Sequence, residues 1–328
     1  MPSTAPPPLS PRTLRLAVTC GEPAGIGAEV ALKALAAGLP AGVEPVLVGP
    51  RAVWQAAAEL LLAPVSMHAW SREELPSGAG DWSWGRPTAA SGRIAAEAVE
   101  RAADLALAGA VDAVVTAPLT KAGLAAAGRP YPGHTELLQA RCGGRATMML
   151  AGSRLRVLLV TTHLPLATVP AAITTEAVIA TVRAAHRGLE GDLGISAPRI
   201  AVAALNPHAG EGGLLGNEEL TVLAPALERA RAEGIDVAGP LPADSLFFHA
   251  AEGAFDAVVA MYHDQGLVPL KLLHYYDGVN VTLGLPIVRT SPDHGTAFDI
   301  AGTGVAREDS FREALRWAGE IALRRRGA

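Results

Sequence analysis

The sequence predicts an α/β protein built on a mainly parallel sheet. Apolar runs of strand length alternate with helical stretches along the chain, the grammar of βαβ units. Half of the 328 residues are hydrophobic and only 4% are aromatic, a palette of helices packed on a parallel sheet rather than of a β-sandwich or a disordered chain. No repeat at solenoid periods and no long low-complexity linker interrupts the pattern. The length fits two domains or one large α/β unit.

Taken in order, residues 14–20 (LRLAVTC) read as a buried strand entering the glycine-rich turn GEPAGIG, and 28 onward as a helix. A second strand covers 43–49, a helix starts at Arg51, and the polar, Trp-containing stretch 73–86 reads as a loop. A long helix over 91–109 ends on glycine, and VDAVVTAP (111–118) is a strand feeding a polar loop. Strands follow at 147–151 and 155–162, a helix at 174–189, a strand at 199–205, a helix at 218–233 and a strand at 256–262. A helix over 309–326 closes the chain.

A net charge of −5 excludes a general basic footprint for nucleic acid. No uncharged apolar run reaches the roughly 18 residues that a membrane span needs. Residues 1–11 form a Pro-rich tail, expected to be disordered, without the apolar centre of a signal peptide. Cys20 and Cys142 stand apart with no CxxC spacing, against a disulfide framework or zinc ribbon. These features point to the cytoplasm, with neither nucleic acid nor membrane as a partner. Only three lysines (Lys33, Lys121 and Lys271) stand among 27 basic residues. Either codon bias explains this, or each retained lysine marks a place where a compact ammonium is wanted.

Ligands of open α/β sheets bind beyond the carboxyl ends of the strands. His163 follows one predicted strand, Asn206 and His208 another, and His263 and Asp264 a third. Three histidines delivered to one sheet edge form a candidate metal site, because imidazole suits Zn²⁺, Co²⁺ or Fe²⁺ and three protein ligands leave positions open for substrate. Each alone is equally an ordinary hydrogen-bonded loop histidine. A divalent ion acidifies a chelated hydroxyl, and Asp244 or Asp264 could accept the proton; the competing role of Asp244 is a helix N-cap.

In YPGHTELL, His134 and Thr135 precede an apolar helical run that Thr135 can cap, and helix N-termini bind phosphate through free N–H groups. Lys271, Asn280 and Arg289 offer charge and amide donors from later segments, with surface lysine, turn asparagine and solvated arginine as the plain alternatives. There is no Walker A, and GEPAGIG lacks the GxGxxG spacing, so a Rossmann dinucleotide fold is not expected. The turn-rich DHGTAFDIAGTG (293–304) is a loop candidate for an adenosine.

The segments GEPAGIGAE (21–29), TAPLTK (116–121), YPGHTELL (131–138), TTHLPL (161–166), LNPHAGEGG (205–213), GPLPAD (239–244), AMYHDQGLVPLK (260–271), GVNVTLGLP (278–286) and VRTSPDHGTAFDIAG (288–302) run in order over nearly the whole chain. Together they resemble the 4-hydroxythreonine-4-phosphate dehydrogenase family of vitamin B6 (pyridoxal 5'-phosphate) biosynthesis. The first and last also resemble isopropylmalate and isocitrate dehydrogenases, which implies their two-domain, non-Rossmann fold. One domain would comprise 12–125 with 276–328 and hold the adenosine loop. The second, 126–275, would carry the metal ligands and dimer interface, with the active site in the cleft between the two.

The resemblance implies one divalent metal (Zn, Mg or Co) on His163, His208 and His263, contributed across a homodimer interface. It places the substrate, largely its phosphate, on His134, Thr135, Lys271, Asn280 and Arg289. It places NAD, with NADP as the alternative, on His294, Gly295, Thr296, Ala297 and Asp299. The implied reaction oxidises 4-phosphooxy-L-threonine at C3, and loss of CO2 then gives 3-amino-2-oxopropyl phosphate. A sister group acting on 4-phospho-D-threonate shares most motifs, although AGEGG, GPLPAD, DQGL and TLGLP read closer to the B6 enzymes. A more distant group acting on aromatic cis-diols lacks the GHTE match. An alternative of another class is a non-catalytic metal-dependent binding protein on the same fold, which would not need a nicotinamide cleft and a phosphate site together.

Overall fold

Alternation along single strands shows why they read as continuously apolar. The computed structural model describes residues 13–327 apart from 41, 62–64, 66, 68–69 and 76–79, so the tail expected over 1–11 lies outside the described residues. Its first half comprises β1 (Leu14–Thr19), α1 (Gly27–Ala36), β2 (Val43–Val48), α2 (Arg51–Glu59), β3 (Ser71–Glu73), α3 (Ala89–Leu107), β4 (Ala113–Val115), α4 (Lys121–Ala126), α5 (His134–Cys142), β5 (Thr147–Ala151) and β6 (Arg156–Leu159). The remainder comprises α6 (Val169–Ala172), α7 (Thr175–Arg187), β7 (Ile200–Ala203), α8 (Ala224–Ala232), β8 (Val237–Leu241), α9 (Ala243–Ala251), β9 (Ala257–Ala260), α10 (His263–His274), β10 (Val279–Leu283), β11 (Arg289–Pro292) and α11 (Asp309–Gly327).

Along β7, Ile200 and Val202 join one hydrophobic cluster while Ala201 and Ala203 join another. Likewise β9 sends Ala257 and Val259 to the first and Val258 and Ala260 to the second. Side chains of period two that are buried on both faces require helices on both faces. Leu246 and Phe247 of α9 with Leu267 and Leu270 of α10 cover one side, and Val178 and Val182 of α7 with Leu227 of α8 cover the other.

The described strands form one sheet in the order β3-β2-β1-β4-β11-β10-β5-β6-β9-β7-β8. Both wings are parallel, in keeping with the expected fold class. The centre is not: β11–β10, β10–β5 and β5–β6 pair antiparallel. Two of these pairs are hairpin neighbours joined by short turns, which need no crossover helix, and the alternating grammar read from the sequence does not show them. Strands β3, β8, β10 and β11 were likewise not anticipated, and β3 begins before a stretch expected to be loop. Strands from both expected domains join this single sheet, with β10 lying between β5 and β11 at their junction. Among the described residues no single helix is long and apolar enough to cross a membrane.

Local chemistry sets several boundaries. Thr88 and Ser91 cap α3 reciprocally, and the Thr174 hydroxyl accepts from Ala177 N at the start of α7. Lys33 donates to Glu29 Oε1 and to the carbonyls of Gly304 and Ala306 at 2.7–2.8 Å. One rare lysine thus fastens the turn-rich loop after β11 onto α1.

Helices α3 and α4 approach so closely that a Cβ on Gly92 would overlap the backbone carbonyl of Gly123. Backbone cannot swing aside as a side chain can. Gly92→Ala is expected to destabilise the fold by about 1–3 kcal/mol, read as a lower urea midpoint at unchanged slope. Wild-type stability would show that the crossing has slack.

Candidate active site

Strands β6 and β9 are parallel neighbours, with Leu159 opposite Ala260. Their pairing continues past the strand ends, where Val160 N and Thr161 N donate to the carbonyls of Ala260 and Met261. The chains therefore leave the sheet side by side and deliver His163 and His263 with ring centroids 5.4 Å apart. The Asp264 carboxylate lies 2.7 Å from His263 Nδ1. A carboxylate accepts, so Nδ1 carries a proton and the Nε2 edge is the one free of this bond. Burial first, then the Lys121 charge, holds the His163 imidazole below its usual range, in the neutral form that ligates metals.

His208 does not join them within the protomer. Strand β7 neighbours β9, but beyond it the backbone turns left-handed and His208 stands exposed, away from the cavity lined by the other two. Among the described residues no group of three or more His, Cys, Asp or Glu side chains is arranged to hold a metal ion.

His163 and His263 line a cavity of about 600 Å³ that also takes in His134, Thr135, Lys271, Asn280 and Arg289. The antiparallel pairing missed in the sequence assembles its floor. Asn280 faces Ser291 and Thr282 faces Arg289 across β10 and β11, so alternate residues of both strands present one polar surface. Arg289 is only 2% exposed. Its guanidinium donates to Thr116 Oγ1 (3.1 and 2.7 Å) and Thr282 Oγ1 (2.9 Å), hydroxyls rather than carboxylates. Burial lowers its pKa to about 10, against the distant pull of Glu136. Asn280 Oδ1 and His134 Nε2 are buried beside it without a protein partner. Burial, then Arg289, holds His134 well below the usual imidazole range. Lys271 pairs with Asp293 at 3.3 Å.

Thr135 lines the cavity, but it does not cap α5. The N-cap is Gly133, Thr135 lies inside the first turn, and no side chain caps that end. The sequence placed the helix start one to two residues late because Pro132-Gly133 was read as a preceding turn.

Of the two candidate bases, Asp264 orients His263. Asp244 sits in the first turn of α9, where it accepts from Ser245 N and does not line the cavity. The N-cap there is Pro242, so the capping alternative for Asp244 fails as well.

The residues proposed for a nucleotide divide. His294 and Gly295 line the same cavity as the histidine pair, and His294 Nε2 is buried without a partner. Thr296 is buried and accepts Ile26 N through its carbonyl, tying the loop to the first glycine-rich turn. Ala297 adopts a positive φ of 41°, and Asp299 is exposed. The cavity also contains groups absent from the sequence-derived set, notably Thr116, Lys121, Glu136, Arg145 and Asp293. Thr116, Lys121, Glu136 and Asp293 fall within the motif segments quoted above, and Arg145 does not. The lining holds four Lys or Arg against two acids in a chain of net charge −5, so positive charge is concentrated here.

The model of the family described as "Pyridoxal phosphate biosynthetic protein PdxA" matches residues 41–318. A 4-hydroxythreonine-4-phosphate dehydrogenase of Geobacter metallireducens is 48% identical over 98% of this chain and 97% of its own length. The crystal structure of the 4-hydroxythreonine-4-phosphate dehydrogenase from Klebsiella pneumoniae is 42% identical and superposes with a TM-score of 0.84, covering 94% of this chain and 98% of that one. An isocitrate dehydrogenase from Methylococcus capsulatus, 13% identical with a TM-score of 0.50 over 96% of this chain and 86% of its own, shares the fold alone. By the extent of these matches the chain belongs to the PdxA family of pyridoxal phosphate biosynthetic proteins.

Proposed function

We propose that the chain is a cytoplasmic, NAD-dependent 4-hydroxythreonine-4-phosphate dehydrogenase that oxidises 4-phosphooxy-L-threonine at C3, the β-keto acid then losing CO2 to give 3-amino-2-oxopropyl phosphate. The observation that carries this reading is one cavity lined by two chemically distinct groups. The buried Arg289 guanidinium offers N–H donors suited to a phosphate, with Asn280 and His134 beside it, and His163 and His263 offer paired imidazoles suited to one cation.

The histidine pair fits a divalent ion as two ligands of three. His208 of a second copy supplies the third in this reading, and bare apolar side chains on the His208 segment, α9 and α10 suit a protein partner: Leu214 and Leu272 are 82% and 84% exposed, with Phe248 and Val268 at 65%. When bound, the ion lowers the pKa of a chelated hydroxyl and polarises the carbonyl of the keto acid. NAD, with NADP as the alternative, would accept the hydride when bound. In the chain itself, Asp264 fixes the His263 tautomer. Arg289, Lys271 and Asn280 hold the phosphate, and the walls of the cavity fix C3 relative to the nicotinamide.

The test is NADH formation with the metal-loaded protein on 4-phosphooxy-L-threonine and on 4-phospho-D-threonate. A kcat/KM at least about tenfold higher on the amino acid is expected, the size of one discriminating polar contact. A preference for the threonate would move the chain to the sister group, and no turnover on either would overturn the reading.

A further inference from the structure

We propose that Glu219 is a positioning residue for His208: its buried carboxylate clamps both ends of the left-handed turn that carries this imidazole out of the protomer. The inference rests on the reading above, in which His208 completes a second copy's metal site.

The turn is unusual in its backbone. His208, Ala209, Gly210, Glu211 and Gly212 have φ of 52, 54, 75, 42 and 67° in succession. Three of these are not glycine, and the Cβ of an L residue crowds the following carbonyl in the left-handed region. Such a conformation persists only where its surroundings over-determine it. Yet of residues 206–220 only Gly210 and Glu219 are buried. The excursion has almost no apolar anchor, so polar contacts must hold it.

Those contacts converge on one side chain. Glu219, 2% exposed, accepts Leu205 N (2.9 Å) and Asn206 N (2.7 Å) on Oε1 and Asn206 Nδ2 (2.9 Å) on Oε2. Asn206 Nδ2 also donates to Glu218 Oε2 at 2.7 Å. The carboxylate thus ties the residues just before the turn to the segment just after it. At the turn's apex Gly210 passes so near that a Cβ there would lie 2.7 Å from Glu219 Oε2, and Leu215 N closes the far side onto the Gly210 carbonyl. No cation pairs with Glu219 among the described residues. Its charge is met by N–H donors whose only common feature is that they set the entry to the His208 turn. Three charge-assisted bonds to adjacent residues fix direction as well as distance.

Glu219→Gln keeps the volume and one acceptor oxygen but turns an amide N–H2 towards the donor Asn206 Nδ2. The experiment titrates Co²⁺ into metal-stripped dimer and follows the visible absorption of the bound ion, for wild type, His208→Ala and Glu219→Gln. Thermal midpoints are read alongside. The expected result is a Co²⁺ dissociation constant raised about 10–100-fold in Glu219→Gln, the usual effect of losing a group that orients a ligand, with an altered cobalt spectrum. Wild-type cobalt affinity in Glu219→Gln beside a loss in His208→Ala overturns the positioning role and leaves the metal reading intact. That holds even if the thermal midpoint falls, since Glu219 would then be structural only. Wild-type affinity in His208→Ala overturns the metal reading itself. If Glu219→Gln yields no folded dimer, Gly210→Ala replaces it: a loss of the same size supports the inference, and unchanged affinity overturns it.

Discussion

Replacing Arg289 with Met is expected to lower kcat/KM for the phosphorylated substrate by about 10²–10³-fold while leaving the ligand-free protein as stable as before, or more so. The two effects have one cause. Arg289 is buried with a full charge and only the hydroxyls of Thr116 and Thr282 as acceptors. Its pKa, depressed from 12.5 to about 10, records the cost of that burial, on the order of 3 kcal/mol by linkage. The sign is that of a base whose folded pKa is lowered. The destabilisation is fully present below the folded pKa, including at neutral pH, and is relieved as pH rises past about 10.

In this reading a phosphate dianion in the cavity offsets this cost, so substrate binding relieves a penalty that folding has already met. Met removes the buried charge at similar volume, and replacing buried ionic groups by apolar ones is often neutral or stabilising. It also removes two charge-assisted hydrogen bonds to phosphate, each about 1.5–3 kcal/mol, of which roughly 3–4 kcal/mol in total gives the quoted factor. Kinetics on phosphorylated and dephosphorylated substrate, with thermal unfolding of the ligand-free variant, read both halves. Normal kinetics, or a midpoint well below wild type, would show that Arg289 is a structural cation instead.

How much of this was legible in the sequence depended on whether the information was local. Strands β7 and β9 are plain in the sequence because burial on both faces makes every position apolar, β1 nearly so but for Arg15 and Thr19, and His163 follows strand β6 as expected. The pairing of His163 with His263 follows from two such strands being neighbours. Strands β10 and β11 do not show in the sequence, because Asn280, Arg289 and Ser291 of the cavity floor, with Thr282 that holds Arg289, interrupt their apolar pattern. The function that makes those residues interesting is what hid the strands carrying them.

The His208 turn was hidden for a different reason. Glycines at 210, 212 and 213 hint at left-handed backbone, but His208, Ala209 and Glu211 do not, and the carboxylate that holds them lies further along the chain. Lys121 is marked in the sequence by the scarcity of lysine and by its place at the end of TAPLTK, and the structure puts it on the cavity lining beside His163. The cap assigned to Thr135 failed because a glycine N-cap leaves the helix terminus without a side-chain partner, which is itself what an anion site needs.

Mixing two inactive variants is expected to restore activity if each site is built from two chains. His208→Ala and His163→Ala should each be inactive as homodimers, because every site then lacks one of three ligands. When they are unfolded together, or co-expressed, about half of the dimers combine one chain of each kind. In such a dimer the His208→Ala chain keeps His163 and His263 and receives an intact His208 from the other chain, so one site is complete. The second site lacks both. The mixture should therefore recover about one quarter of wild-type activity per chain, and the same fraction of bound metal, since half of the dimers have one good site of two. The geometry makes the outcome informative. His163 and His263 already stand 5.4 Å apart in one protomer, whereas His208 stands exposed on a turn flanked by the bare Leu214. If the chain instead folded its own His208 back onto the pair, the mixture would stay as inactive as its parts, because no dimer would contain a chain with all three. Recovery of activity with no change in metal content would leave the shared interface standing and remove His208 from the ligand set.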